Sequence, residues 1–228
     1  MITVHHLNNS RSQRILWMLE ELGLKYEVQY HKRDPVTMLA PASLKAIHPL
    51  GKAPVLVDGN LTLVESGAIL EYLIDKYGAG KFKPAAGSTD YLRYNFWMHF
   101  AEGSAMTPLL LQLIFAKISN PPLPLPVKML VWPIVKAIAM QVNKMLIAPN
   151  LKIHQNFMEA ELGKSLWFAG AEFTAADVQM SFVVEATAMR GNLTATNRPK
   201  LFSYLQRIHA RPAYKKALEV GGPYSLLS

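Results

Sequence analysis

His48–Leu70 reads HPLGKAPVLVDGNLTLVESGAIL, and its order of elements decides the fold. Pro54–Val57 and Leu61–Val64 are short β-prone runs around Asp58-Gly59-Asn60, a tight-hairpin signal. From Ser66 the spacing switches: Ile69, Leu70, Leu73 and Tyr77 recur at helical intervals, and Gly78 ends the run. Upstream, Ile2–His6 suits a buried strand. Ile15, Leu16, Leu19 and Leu22 form a helical stripe closed by Gly23 in the C′ position, Tyr26–Tyr30 reads as a second strand, and Leu39–Ile47 as a weaker helix. The order is βαβ, then α, then ββα. The βαβ unit requires a parallel pair with a right-handed crossover, and the hairpin adds an antiparallel pair. Residues 1–80 are thus expected to form a small mixed sheet with helices on its faces.

Beyond them the pattern changes. Gly78–Ser88 (GAGKFKPAAGS) is rich in Gly, Lys and Pro, which places a linker at 81–88. Within 89–228, strand signals stop, and Tyr91–Lys117, Met129–Gly163, Ala175–Met189 and Pro199–Arg211 all read as helices. Half of the 228 residues are hydrophobic and 18% are charged, enough for a sizeable core. No basic-then-apolar leader opens the chain, and no run of 18 uninterrupted apolar residues predicts a membrane span.

Several chemistries are excluded or disfavoured. The chain has no cysteine, so disulfides, thiolate metal sites and reactions of its own thiol are excluded. His5 and His6 are neighbours on a strand and point to opposite faces, and no His-x-x-x-His pair exists, so no metal site is expected. There is no Gly-x-Ser-x-Gly elbow and no Gly-rich phosphate loop. The net charge of +8 is dispersed, its densest patches being His31-Lys32-Arg33 and Lys215-Lys216. Without an aromatic-interleaved basic stripe, nucleic acid is not an expected partner.

Three stretches remain. In Lys52-Ala53-Pro54, a proline just before a strand leaves the backbone of Ala53 open to pair with an extended, peptide-like ligand. Glu65 and Ser66 sit where a strand hands over to a helix. Ser66 suits an N-cap, the helix N-terminus suits an anion, and an adjacent acid suits a ligand carrying both carboxylate and ammonium. In HHLNNSRSQRILW (His5–Trp17), Asn8, Asn9, Ser10 and Ser12 crowd the mouth of the first helix, where one cap would suffice.

Taken together and in order, NNSRSQRILWMLEELGLKYE, HPLGKAPVL, LVESGAILEYL and FTAADVQMSF resemble the cytosolic glutathione transferases of the serine type, theta-like or bacterial–fungal, over nearly the whole chain. The resemblance implies an α/β thioredoxin-like N-terminal domain plus an all-α C-terminal domain, a cytoplasmic homodimer, and glutathione as co-substrate with no metal. Pro54 would be the family's cis-proline. Ala53 would bond the cysteinyl backbone, Glu65 and Ser66 would hold the γ-glutamyl carboxylate and amine, and Lys52 would face the glycyl carboxylate. Family members activate the thiol with Tyr, Ser or Cys near the end of the first strand. Here no Tyr precedes Tyr26, so the alignment places the catalytic group at Ser10, with Ser12 inside the first turn, Asn8 and Asn9 shaping the loop, and Ser10 free to face the ligand. Arg11 would add positive potential, and Glu102 would reach glutathione across a dimer interface. Thr174 and Asp177, at capping-box spacing, would be a folding element of the helical domain.

The implied reaction is addition of the glutathione thiolate to hydrophobic electrophiles, with reduction of organic hydroperoxides as a further activity. A non-catalytic binding protein of the same fold is the alternative; a reductase or dehalogenase would call for a cysteine. The sequence departs from the family at Ile118–Asn150, which is long, proline-laced and apolar, with Val131, Ile134, Val135, Ile138, Val142 and Met145 in a helical stripe. Core packing, an acceptor pocket, a dimer contact and a less favoured membrane-surface contact are its open readings.

Overall fold

The computed structural model describes residues 1–34, 37, 39–191, 193–224 and 226. Strand β1 (Ile2–Leu7) runs through the middle of a four-stranded sheet of order β2-β1-β3-β4. It pairs in parallel with β2 (Tyr26–His31) across helix α1 (Ser12–Glu21), and antiparallel with β3 (Val55–Asp58). Strand β3 in turn pairs antiparallel with β4 (Leu61–Val64). Gly23 ends α1 with φ +63°, while Leu24 N–H bonds the Leu19 carbonyl, so the expected C′ glycine stands where a left-handed residue is needed. Helix α2 is Ala42–Ile47, three residues shorter at its start than the expected Leu39–Ile47. Pro41 caps it and disfavours the helical region for Ala40. Helix α3 (Ser66–Tyr77) closes the first domain.

The helical domain opens with two rods, each broken by one π turn. Helices α4 (Thr89–Phe100) and α5 (Met106–Ile118) flank a π turn at Ala101–Ala105. Helices α6 (Leu125–Val142) and α7 (Ala148–Lys164) flank another at Asn143–Ile147. Helix α8 (Ala175–Gly191) runs through the core, with Val178, Met180, Val183 and Val184 buried. Its start is fixed by Asp177. One carboxylate oxygen accepts Thr174 N–H at 2.9 Å and the other accepts Phe168 N–H at 3.0 Å, while Thr174 Oγ1 accepts Ala176 N–H at 3.2 Å. The capping spacing therefore also ties the preceding Trp167–Gly170 turn to the helix. Burial pushes the Asp177 carboxyl up to about 7, against the pull of those donors.

Helices α9 (Pro199–Ala210) and α10 (Pro212–Gly221) follow. Helix α10 was not foreseen. Pro212, which ends a helical pattern when read along the chain, also sits at the first position of the next helix, where its missing N–H costs nothing. Helix α10 crosses α1. Gln13 Nε2 donates to the Ala217 carbonyl at 2.7 Å, Tyr30 Oη to the Val220 carbonyl at 2.7 Å, and Arg211 forks onto Glu21 at 2.6 and 2.8 Å. A Cβ on Gly221 would fall 2.2 Å from Gln13 Oε1, so a larger residue there would displace the Gln13 amide. This return buries His6. Desolvation pushes its pKa down to about 4, although a bond to the Gly221 backbone pulls the other way.

Two predictions follow from this packing. Asp177→Ala strands two buried N–H groups and removes a cap, so urea unfolding is expected to show a loss of about 2–4 kcal/mol; a loss below about 0.5 kcal/mol would contradict the account of α8. For His6, a folded-state pKa below the unfolded 6.5 means that the unfolded chain binds the extra proton between pH 6.5 and 4. Stability is expected to be level above pH 6.5 and to fall on acidification through that window, by about 3 kcal/mol from this group. His6→Gln is expected to flatten that part of the stability–pH curve, and an unchanged slope would show that His6 is not its source.

Candidate active site

Sheet register gathers the candidate residues at one end. His5 lies opposite Val55, and Val55 opposite Val64. The loop after β1, the Ala53-Pro54 entry to β3 and the Glu65-Ser66 exit from β4 therefore meet at the same edge. The Ala53–Pro54 peptide is cis. Lys52 is exposed, Ala53 half-buried and Pro54 buried.

Glu65 has φ +70° and ψ 121°, a conformation that a non-glycine residue holds only under constraint and that clusters at ligand clamps. Ser66 is not the N-cap that its residue type suggests. Glu65 occupies that position without a side-chain cap bond, and Ser66 is the first helical residue, buried. The start of α3 is thus uncapped by side chains, the state in which its N–H groups serve an anion. A cleft of about 420 Å³ runs from Glu65, Gly67 and Ala68 to Met98, Glu102 and Gln179.

The loop after β1 divides its polar groups by task. Asn9 takes φ +52°, and Asn8 Oδ1 accepts Arg33 N–H at 3.3 Å, so the asparagines shape the turn. The serines are coupled to each other. Ser10 Oγ accepts Ser12 N–H at 3.2 Å and lies 2.7 Å from Ser12 Oγ. Ser12 Oγ also accepts Leu7 N–H at 3.2 Å and lies 3.0 Å from His6 Nδ1. Ser10 is 7% exposed, so it is not the free hydroxyl that the sequence suggested: its position is set by Ser12, and that of Ser12 by His6 and the end of β1. With His6 neutral, its Nδ1 can accept the Ser12 proton when Nε2 carries the ring proton, and the Leu7 carbonyl, 3.2 Å from Ser12 Oγ, is a second acceptor for it. Either hydroxyl can donate in the 2.7 Å contact; with the Ser12 proton on His6 Nδ1 or the Leu7 carbonyl, Ser10 donates, and its proton can turn toward a ligand.

Arg11 and Arg14 flank this loop and share one carboxylate oxygen. Glu102 Oε1 accepts Arg11 Nε at 2.8 Å and Arg14 Nη1 at 2.6 Å, and Arg14 Nη1 lies 3.3 Å from Gln179 Oε1. Glu102 is thus engaged within its own chain. Against the upward push of burial, Arg14 and Arg11 hold its carboxyl below the usual range. Both guanidiniums lie over the Phe182 ring, at 5.1 and 5.2 Å. Two cations against one anion leave a net positive charge at the mouth of α1, whose first turn holds no acid. Reading the sequence missed Arg14, Gln179 and Phe182. Arg14 looks like an ordinary helical charge, and only its lying one residue before the apolar Ile15 hinted that it faces inward. No group of three His, Asp or Glu side chains among the described residues is arranged to hold a metal ion.

Comparison with known proteins agrees with this architecture. Residues 1–75 match the family model of the glutathione S-transferase N-terminal domain, and 135–220 that of a C-terminal domain. Glutathione S-transferase 3 of Schizosaccharomyces pombe is 36% identical over 96% of this chain and 87% of its own length. The crystal structure of a glutathione S-transferase from Actinobacillus pleuropneumoniae superposes with TM-score 0.78 at 32% identity, over 100% of this chain and 96% of that one. A sphingomonad glutathione S-transferase complexed with glutathione gives TM-score 0.71 at 25% identity, over 96% and 98%. With both domains matched, a relative above 30% identity along nearly its full length and the same fold throughout, this chain belongs to the glutathione S-transferase family.

Proposed function

We propose that this chain is a glutathione transferase in which Ser10 donates a hydrogen bond to the glutathione sulfur and holds it as thiolate for attack on hydrophobic electrophiles. The observation that carries the reading is the position of Ser10. It sits at the mouth of α1, 2.7 Å from Ser12 Oγ, beside a net positive charge from Arg11, Arg14 and Glu102. A free thiol titrates near 8.5 and is mostly protonated at neutral pH; a donor and a positive field both favour the anion. The serine acts as a donor and not as a nucleophile, so neutral His6 need not accept its proton.

Glutathione itself is held by other groups. Ala53 offers its backbone beside Pro54, Glu65 and Ser66 meet the γ-glutamyl end at the uncapped start of α3, and Lys52 faces the glycyl carboxylate. The cleft that ends at Glu102 and Gln179 adjoins that γ-glutamyl site. The protein acts as a cytoplasmic homodimer, a closed two-fold arrangement in keeping with its family. Reduction of organic hydroperoxides would draw on the same activated thiolate.

The pH–rate profile with a simple electrophile tests the role of Ser10. Ser10→Ala is expected to keep glutathione affinity within a few-fold while turnover at pH 6.5 falls by roughly ten- to a thousandfold, the cost of losing one electrostatic donor. The deficit shrinks at high pH, where the thiol ionises unaided. Ser12→Ala is expected to leave the midpoint of the profile near that of the unmodified protein and to lose stability instead, because Leu7 N–H and His6 Nδ1 lose their partner. Full activity of Ser10→Ala at pH 6.5, or a profile shifted by Ser12→Ala alone, would reassign the donor. Sedimentation at micromolar concentration is expected to give twice the 25.5 kDa chain mass, and a monomer would refute the homodimer.

A further inference from the structure

Helix α6 is seated on the domain by one face only. Val131, Val135 and Val142 are half-buried and Ala139 is buried, so part of the apolar stripe seen in the sequence does pack inward. The remainder turns outward. Leu130, Ile134 and Ile138 follow at intervals of four, with Met145 seven further on, and they are 75%, 61%, 56% and 70% exposed; Met129 and Met140 stand beside them. Twelve exposed large apolar side chains lie between Leu123 and Ile153. Such a surface is far more than scattered apolar exposure explains.

Its charge selects the occupant. Ile118–Met158 contains no Asp or Glu, whereas Lys128, Lys136, Lys144 and Lys152 recur every eighth residue. Lys136 Nζ lies 4.5 Å above the Trp132 ring, so a cation and an aromatic stand together as they do at a membrane interface. A second copy meeting this face with its own would find lysines at the flanks and no acid to pair with them. A spanning helix is equally unsuited. The continuous helix Leu125–Lys164 has a mean hydropathy of 1.4 in its most apolar window, but its inner face is bound to the domain. Lysines about 12 Å apart also leave no charge-free length that crosses a bilayer.

We propose that the outer face of α6, continued through the π turn at Asn143–Ile147, docks this protein on the surface of an anionic lipid bilayer. The helix lies flat, with Leu130, Ile134, Ile138 and Met145 entering the acyl boundary and Lys136 and Lys144 meeting the headgroups. The contact is peripheral and reversible, and it is separate from the glutathione site.

Vesicle flotation of the full chain tests this, using phosphatidylcholine vesicles with and without phosphatidylglycerol. Binding is expected to the mixed vesicles, at least tenfold weaker to phosphatidylcholine alone, and weaker with added salt. Ile134→Glu is expected to cut binding at least tenfold, and Lys136→Glu with Lys144→Glu by at least as much, since each lysine near an anionic surface is worth about fivefold. Both sites are exposed, so circular dichroism and glutathione-conjugating activity should be retained, which separates this test from that of Ser10. Three results would overturn the proposal: no binding to the mixed vesicles; equal binding by Ile134→Glu; or an oligomer that Ile134→Glu dissociates while vesicles capture neither form, which would assign the face to a second copy.

Discussion

A guanidinium with 1% of its side chain exposed cannot stand without a counter-charge, and Arg14 is that group. Removing the partner of a buried charge typically costs 3–5 kcal/mol, so wherever α1 goes a carboxylate must follow. Glu102 supplies it from the helical domain. It reaches α1 because the rod α4–α5 opens into a π turn at Ala101–Ala105, a device that re-aims side chains and recurs at functional sites. Gln179 and Phe182, both on α8, close the remaining sides. The ion pair therefore joins the two domains, beside the α1 contacts of Ala217 and Arg211. The cleft of the candidate site, with Glu65 on one wall and Glu102 on the other, lies along that junction.

The same constraint organises the thiol-activating end. Arg14 draws Glu102 inward, Glu102 holds Arg11 against the loop after β1, and that loop carries Ser10. From the opposite side, α10 presses Gly221 onto His6, keeps its imidazole neutral, and leaves Nδ1 to receive Ser12. Ser10 is thus held between a cationic network from the helical domain and a polar chain anchored in the sheet. Both supports are completed by residues far along the chain, Glu102 and Gly221.

This explains what was legible from the sequence. The sheet domain was read almost to the residue, because its signals are local: alternation, a hairpin at Asp58-Gly59-Asn60 and a glycine in the left-handed region at Gly23. The long helices were legible for the same reason. What failed were features decided by partners far along the chain. Helix α10 packs on α1 through contacts about 200 residues apart, such as Gln13 with Ala217, and no window of sequence contains both. Ser10 was taken as a free hydroxyl because the 2.7 Å contact with Ser12 depends on His6, whose burial depends on α10. Ser66 was expected to cap α3, but the strained backbone of Glu65 moves the helix start by one residue. Glu102 and Arg11 were both singled out, but their pairing and the buried Arg14 that shares the same carboxylate were not.

Charge shows the difference between composition and structure most clearly. Along the chain, +8 is spread thinly and no basic patch stands out. The fold concentrates it twice, by different means. At the mouth of α1 the excess is small, two arginines to one glutamate, but it is partly withdrawn from water, so each charge acts over a short distance with little screening. From α6 through the π turn into α7, four lysines stand eight residues apart, and acids are absent from the whole segment around them. There the field is weak at any point but uniform in sign across an apolar surface, which suits an extended anionic plane better than a compact ligand. A buried excess of one charge can bias the ionisation of a single thiol, whereas a dispersed exposed excess can bias only where the whole molecule resides. The two cationic regions are therefore suited to different scales of work.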